Sequence, residues 1–177
     1  KFMENPYADF DSLRARFMTR YYGAAAPFVA AYREAVRDAA REHGADIDWF
    51  AGIANFGYLK LADVRRCQAL LDQAEQAAAG NPVLLKRVGR VRLSLDRYVG
   101  LNKALYRDEL ALDGADGQRR KTAETELKAC VERMEKNWGE AIRELASNSG
   151  EAQTSAQKLH QNMATALTPF VAPSEKF

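Results

Sequence analysis

The densest group of side chains able to do chemistry is the stretch Asp46-Ile-Asp-Trp-Phe-Ala-Gly-Ile-Ala-Asn-Phe-Gly-Tyr. An indole beside carboxylates and an amide suits carbohydrate: Trp49 could stack on a sugar ring while Asp46, Asp48 and Asn55 bond its hydroxyls. The competing reading is structural. Trp49, Phe50, Phe56 and Tyr58, with Ile47 and Ile53, would plug the end of a helical core, and Asp48 would cap a short turn. The plug is favoured, because so many apolar groups exposed in one connection would make a patch that soluble monomers seldom show. Trp49, Asp46, Asp48 and Asn55 are therefore the candidate site, in competition with a packing role.

Other titratable groups point to no catalyst. His43 and His160 stand far apart in the sequence without metal-ligand neighbours, and each reads as a helix-end or surface residue. Glu124 with Glu126 and Glu132 with Glu135 bring carboxylates together, but a charged helix surface does so routinely, and acid–base work needs a cleft that shifts a pKa. Phosphate-binding glycine loops, Cys-x-x-Cys pairs, His-Glu-x-x-His and nucleophile-elbow serines do not occur. No metal and no cofactor are expected. Cys67 and Cys130 fall on apolar helix faces and read as two buried free thiols more readily than as a disulfide.

The elements that would position these groups are helical. Phe10, Leu13, Phe17 and Tyr21 recur at three and four, Asp9 or Asp11 supplies an N-cap, Gly23 stops the helix, and Pro27 suits the first turn of the next. The second helix is expected from about Ala26 to His43, with Phe28, Ala31, Tyr32, Ala35, Val36 and Ala39 inward. A third runs from Ala62 to Ala79, with Val64, Cys67, Leu71, Ala74 and Ala78 on one face.

Asn81-Pro82 restarts the chain as a fourth helix expected to reach Leu112, its seam Val88, Val91, Leu95, Tyr98, Asn102, Leu105 and Leu112. Asn102 would fix register on that seam. Lys86, Arg87, Arg90, Arg92, Arg97, Lys103 and Arg107 read as a solvated basic face, with an anion site such as an acidic sugar as the lesser reading. A fifth helix is expected from Gln118 to Ala146 through Leu127, Val131, Met134, Trp138, Ile142 and Leu145, and a weaker sixth from Glu151 to Leu167. The fold class that follows is all-α: an elongated bundle or array of five to six mostly antiparallel helices. Residues 1–8 form a lead-in from an upstream domain, 9–167 a single domain and 168–177 a tail.

Phe17-Met-Thr-Arg-Tyr-Tyr-Gly-Ala-Ala-Ala-Pro-Phe-Val-Ala-Ala-Tyr-Arg, preceded by Asn5-Pro6, resembles the segment that follows the catalytic barrel in the DUF4838 family of glycoside-hydrolase-like proteins, which are related in plan to α-glucuronidases. Tyr58-Leu-Lys-Leu-Ala-Asp-Val, Ala69-Leu-Leu-Asp-Gln-Ala-Glu and Arg87-Val-Gly-Arg-Val-Arg-Leu-Ser-Leu-Asp look like that family's next helices. The resemblance implies a non-catalytic C-terminal helical domain that packs on or flanks an upstream catalytic barrel, contacts carbohydrate or a second copy, and belongs to a secreted or periplasmic protein. Since the family's catalytic carboxylates would lie upstream, none is carried over. A free-standing helical protein–protein interaction module is the alternative.

Composition excludes little more. Lys and Arg number 26 against 24 Asp and Glu, a balance too even to call for nucleic acid or an anionic membrane. No run approaches the roughly 20 apolar residues of a membrane helix. With Lys1 first and not Met, the natural start is expected to lie upstream.

Overall fold

The computed structural model describes residues 9–45, 57–111 and 117–146, and among them every regular element is helical. The fold class is all-α, as expected. Helices run at α1 Phe10–Tyr22, α2 Ala26–Glu42, α3 Leu61–Ala78, α4 Pro82–Leu101, α5 Arg107–Leu110 and α6 Gly117–Ala146, with 3-10 turns at Gly23–Ala25 and Lys103–Tyr106. Two compact units divide the chain, one of residues 1–44 and 62–92, the other of 45–61 and 93–177.

In the first unit, α1 begins at Asp9, whose carboxylate accepts from the backbone N–H of Asp11 at 3.1 Å and of Ser12 at 3.2 Å. The Ser12 hydroxyl, together with these amides, holds the Asp9 carboxyl below the ordinary carboxylate range. The helix stops at Gly23, where φ is 53° and ψ −128°, a combination that side-chain-bearing residues avoid. The Tyr21 carbonyl near this C-terminus, which the helix itself cannot satisfy, accepts from Arg87 Nη1 at 2.6 Å.

The phase of α1 corrects an expectation. Phe10 and Phe17, placed inward by their spacing, are 59% and 54% exposed, and the helix buries Met18 and Tyr22 instead. Those two pack with Ala25, Ala26 and Val29, and with Ala74, Ala78 and Val88 of α3 and α4. The physical reason is size. Ala25, Ala26, Ala74 and Ala78 leave a slot that Tyr22 fills, and each residue along a helix turns the face by about 100°. On α2, Ala35 and Ala39 are buried as expected, while Val29 replaces Ala31 in the core.

Helix α3 buries Val64, Cys67, Leu71, Ala74 and Ala78, the five residues its periodicity selects. Asn81 caps α4, its Oδ1 accepting from Val83 N at 3.0 Å and Leu84 N at 3.2 Å. Arg92, expected on a solvated basic face, is 1% exposed. Acceptors on α3 draw it in: Nη1 donates to Gln68 Oε1 at 2.9 Å and Nη2 to Asp72 Oδ1 at 2.6 Å. Glu75 Oε1 lies 2.9 Å from Nε yet off the line of its N–H, so that contact is ionic and the Nε–H has no hydrogen-bond acceptor.

Cys67 is fully buried and not disulfide-bonded, as is Cys130 in the second unit at 2% exposure. Desolvation, with the Asp63 charge in support, pushes the Cys67 thiol up to about 11 from 9.0. Folding therefore favours the neutral thiol. That contribution is complete below pH 9 and fades as pH rises through 11. At pH 8 only about one Cys67 in a thousand is thiolate, so iodoacetamide should label it on the timescale of unfolding. Labelling of native protein as fast as a free thiol would refute this burial.

In the second unit α4 ends at Leu101 and does not run on to Leu112 as expected. Asn102 takes φ −116° and ψ 71°, outside the helical region, and Nδ2 donates to the Tyr98 hydroxyl at 3.0 Å. That hydroxyl in turn donates to the Leu59 carbonyl at 2.9 Å. Burial raises the Tyr98 phenol above its ordinary value, and the Asn102 bond partly opposes the shift. Thus Asn102 anchors Tyr98 to Leu59 rather than setting register along a continuous helix. Gly100 lies against α6, where an added Cβ would meet Met134 Cε at 3.5 Å.

Helix α6 buries Ala123, Leu127, Cys130, Val131 and Met134. The side chains of Trp138, Ile142 and Leu145, expected to extend this stripe, and the expected sixth helix lie outside the described residues. Asp96, fully enclosed, receives a two-pronged bond from Arg133: Nε to Oδ2 at 3.0 Å and Nη2 to Oδ1 at 2.9 Å.

Candidate interaction face

Three places on the described residues gather polar or titratable groups outside a core. The first is the junction of α2 and α3. His43, the C-cap of α2, sits with Nε2 3.1 Å from Asp63 Oδ2 in the first turn of α3. One turn further along lies Cys67, so a histidine, a carboxylate and a thiol share one end of the unit. They do not form a nucleophilic site, because burial holds the thiol neutral and encloses it completely.

The second is a groove of about 710 Å³ between α1 and α2, floored by Phe10, Met18, Pro27 and Ala30. Four of its five charges pair, Arg14 with Asp11 at 3.2 Å and Arg37 with Glu34 at 2.9 Å, while Arg33 reaches Met18 Sδ at 4.0 Å. Such exposed pairs are worth little, and the groove gathers charges of both signs rather than one.

The third is the outward face of α1, where a shallow hollow of about 310 Å³ is lined by Leu13, Arg16, Phe17, Arg20 and Tyr21 with Arg87 of α4. Residues 13, 16, 17, 20 and 21 share one side of a helix by their spacing. The Phe17 and Tyr21 rings stack with centroids 5.2 Å apart and planes 15° apart. Arg87 lies 4.2 Å over the Tyr21 centroid, held there by its bond to the Tyr21 carbonyl. Arg16 and Arg20 are exposed and have no side-chain partner among the described residues. Three guanidinium groups thus line the hollow with an aromatic pair, and among the described residues no carboxylate lines it.

Trp49, Asp46, Asp48 and Asn55 all fall in residues 46–56, outside the described residues. The neighbouring Tyr58 and Leu59 are buried, at 8% and 5% exposure. Sequence reasoning missed the α1 face by assigning Phe17 to the core along with Tyr21, which does pack against it in part. The available signal was the coincidence of two four-residue spacings, Arg16 with Arg20 and Phe17 with Tyr21, since a helix side carrying both cations and rings is poorly suited to full burial.

Nothing among the described residues gathers three metal-ligating groups, and none of the described helices is long and apolar enough to cross a membrane. Compared with protein-family models, curated proteins and solved structures, the chain matches none of them.

Proposed function

We propose that this chain is a non-catalytic helical domain of a carbohydrate-active protein of the DUF4838 kind, and that it packs on a catalytic barrel encoded upstream of Lys1. The observation that carries this reading is the phase of α1. Phe17 and Leu13 are turned away from the first unit's core, in the same helix whose residues from Phe17 onward bear the resemblance. An apolar stripe kept outward on a helix is what an interface between domains requires.

The test is the natural reading frame upstream of Lys1. A barrel, typically about 250 residues, would support the proposal. A start codon within a few residues of Lys1 would end it and leave the free-standing interaction module. Catalysis supplies a second check. The 177-residue chain by itself is expected to release no product from aryl glycosides. Turnover by the purified chain that disappears on replacing one of its own carboxylates would overturn the non-catalytic assignment.

A further inference from the structure

We propose that the outward face of α1, Leu13, Arg16, Phe17, Arg20 and Tyr21 with Arg87 of α4, docks an acidic protein surface, one that sets an apolar side chain on Phe17 and carboxylates opposite Arg16 and Arg20. The inference rests on the docking reading above and adds the chemistry of the partner. Phe17 supplies the apolar centre at 54% exposure. Around it, three arginines line the hollow without a carboxylate among them, and two of them have no partner within the described residues. Aromatic and arginine side chains are the types enriched where protein interfaces bind most strongly, and a guanidinium pairs two-pronged with a carboxylate.

A second copy of this chain does not fit. A two-fold contact lays a patch on itself, so Arg16, Arg20 and Arg87 of one copy would meet the same cations of the other, and like charges at an interface repel. A sugar fits less well than a protein. Tyr21 already has Phe17 stacked on it, Arg87 over it and Tyr22 at its edge 4.9 Å away, so that ring is engaged inside the protein rather than offered as a platform. Arg87 is held by Tyr21, whereas Arg16 and Arg20 are exposed with no side-chain partner among the described residues, and they are left to set the charge requirement on the partner.

Hydroxyl-radical footprinting of the natural protein that contains this chain tests the proposal, with the 177-residue chain as the exposed reference. Phe17 and Leu13 should be oxidised more slowly in the natural protein than in the chain alone. R16E/R20E should abolish that protection and R16K/R20K should retain most of it, while the melting temperature of the 177-residue chain stays unchanged in both, since neither arginine has a partner to lose among the described residues. High salt should weaken the protection. Equal oxidation in the natural protein and the chain would overturn the docking reading itself. Protection that survives R16E/R20E would keep docking and overturn the acidic partner. Protection that appears only when dextran sulfate is added to either form would assign the face to a polyanionic glycan and also overturn the proposal.

Discussion

Arg133→Ala should lower unfolding free energy by about 3 to 5 kcal/mol, the cost of breaking a buried ion pair by removing one partner. Asp96 is fully enclosed, while the Arg133 side chain is 31% exposed. Removing the arginine strips the enclosed carboxylate of two charge-assisted bonds, at 2.9 and 3.0 Å. Other interactions at Asp96 place the effect toward the lower end of that range. Asp96→Ala should cost less, since the arginine left behind can reach solvent.

Replacing both by leucine should recover much of the loss, because well-packed apolar groups often substitute for a buried pair without penalty. Urea denaturation of the three variants reads the effect. An Arg133→Ala cost below about 1 kcal/mol would place the pair among ordinary surface bridges and refute its burial.

Gly23→Ala is expected to cost about 2 to 4 kcal/mol, from backbone strain of about 1 to 3 kcal/mol plus overpacking. At φ 53° and ψ −128° Gly23 occupies a region nearly closed to other residues, and a Cβ there would come 2.9 Å from Leu84 Cδ1. Leu84, partly buried, packs against the core of the first unit, so the end of its side chain must shift in contact with that core. Gly44 is the internal control. Its φ is also positive, at 67°, but nothing lies within 4 Å of an added Cβ. Gly44→Ala should therefore show strain alone, and equal melting shifts for the two would mean that Leu84 gives way freely.

How far the fold was legible depended on how each helix is surrounded. The face of α3 was read completely, because Val64, Cys67, Leu71, Ala74 and Ala78 are apolar at strict helical spacing while most intervening positions are polar, Ala69, Leu70 and Ala77 excepted. On α1 the same reasoning failed. Phe10, Leu13, Phe17 and Tyr21 form one stripe, Met18 and Tyr22 a second about 100° away, and only the alanine slot chose between them.

On helix α4 the reading failed for two reasons that lie outside the helix. Its break at Asn102 depends on an amide engaged by Tyr98, itself a neighbour on the same helix but anchored on Leu59, 39 residues back in the chain. The burial of Arg92 and Asp96 depends on counter-charges supplied by α3 and α6. Neither partner stands at a spacing from which periodicity could pair them.

Legible from the residues alone were the all-α class, an N-cap at Asp9 or Asp11 and another at Asn81, the stop at Gly23, and a preference for two free thiols over a disulfide. Those features follow from backbone preferences and from apolar spacing within about four residues, so no distant partner is needed to specify them. Only the tertiary structure decided which side of α1 faces the core, where α4 ends, and which charges are enclosed. Each depends on a group brought close by folding from far along the chain, the slot of Ala74 and Ala78 for Tyr22, the Leu59 carbonyl for Tyr98, and Arg133 for Asp96. The outward cationic aromatic face of α1 belongs to that second kind. It exists because α1 packs through Met18 and Tyr22 on Ala74, Ala78 and Val88, and the helix held in that phase carries Arg16, Phe17 and Arg20 to the surface.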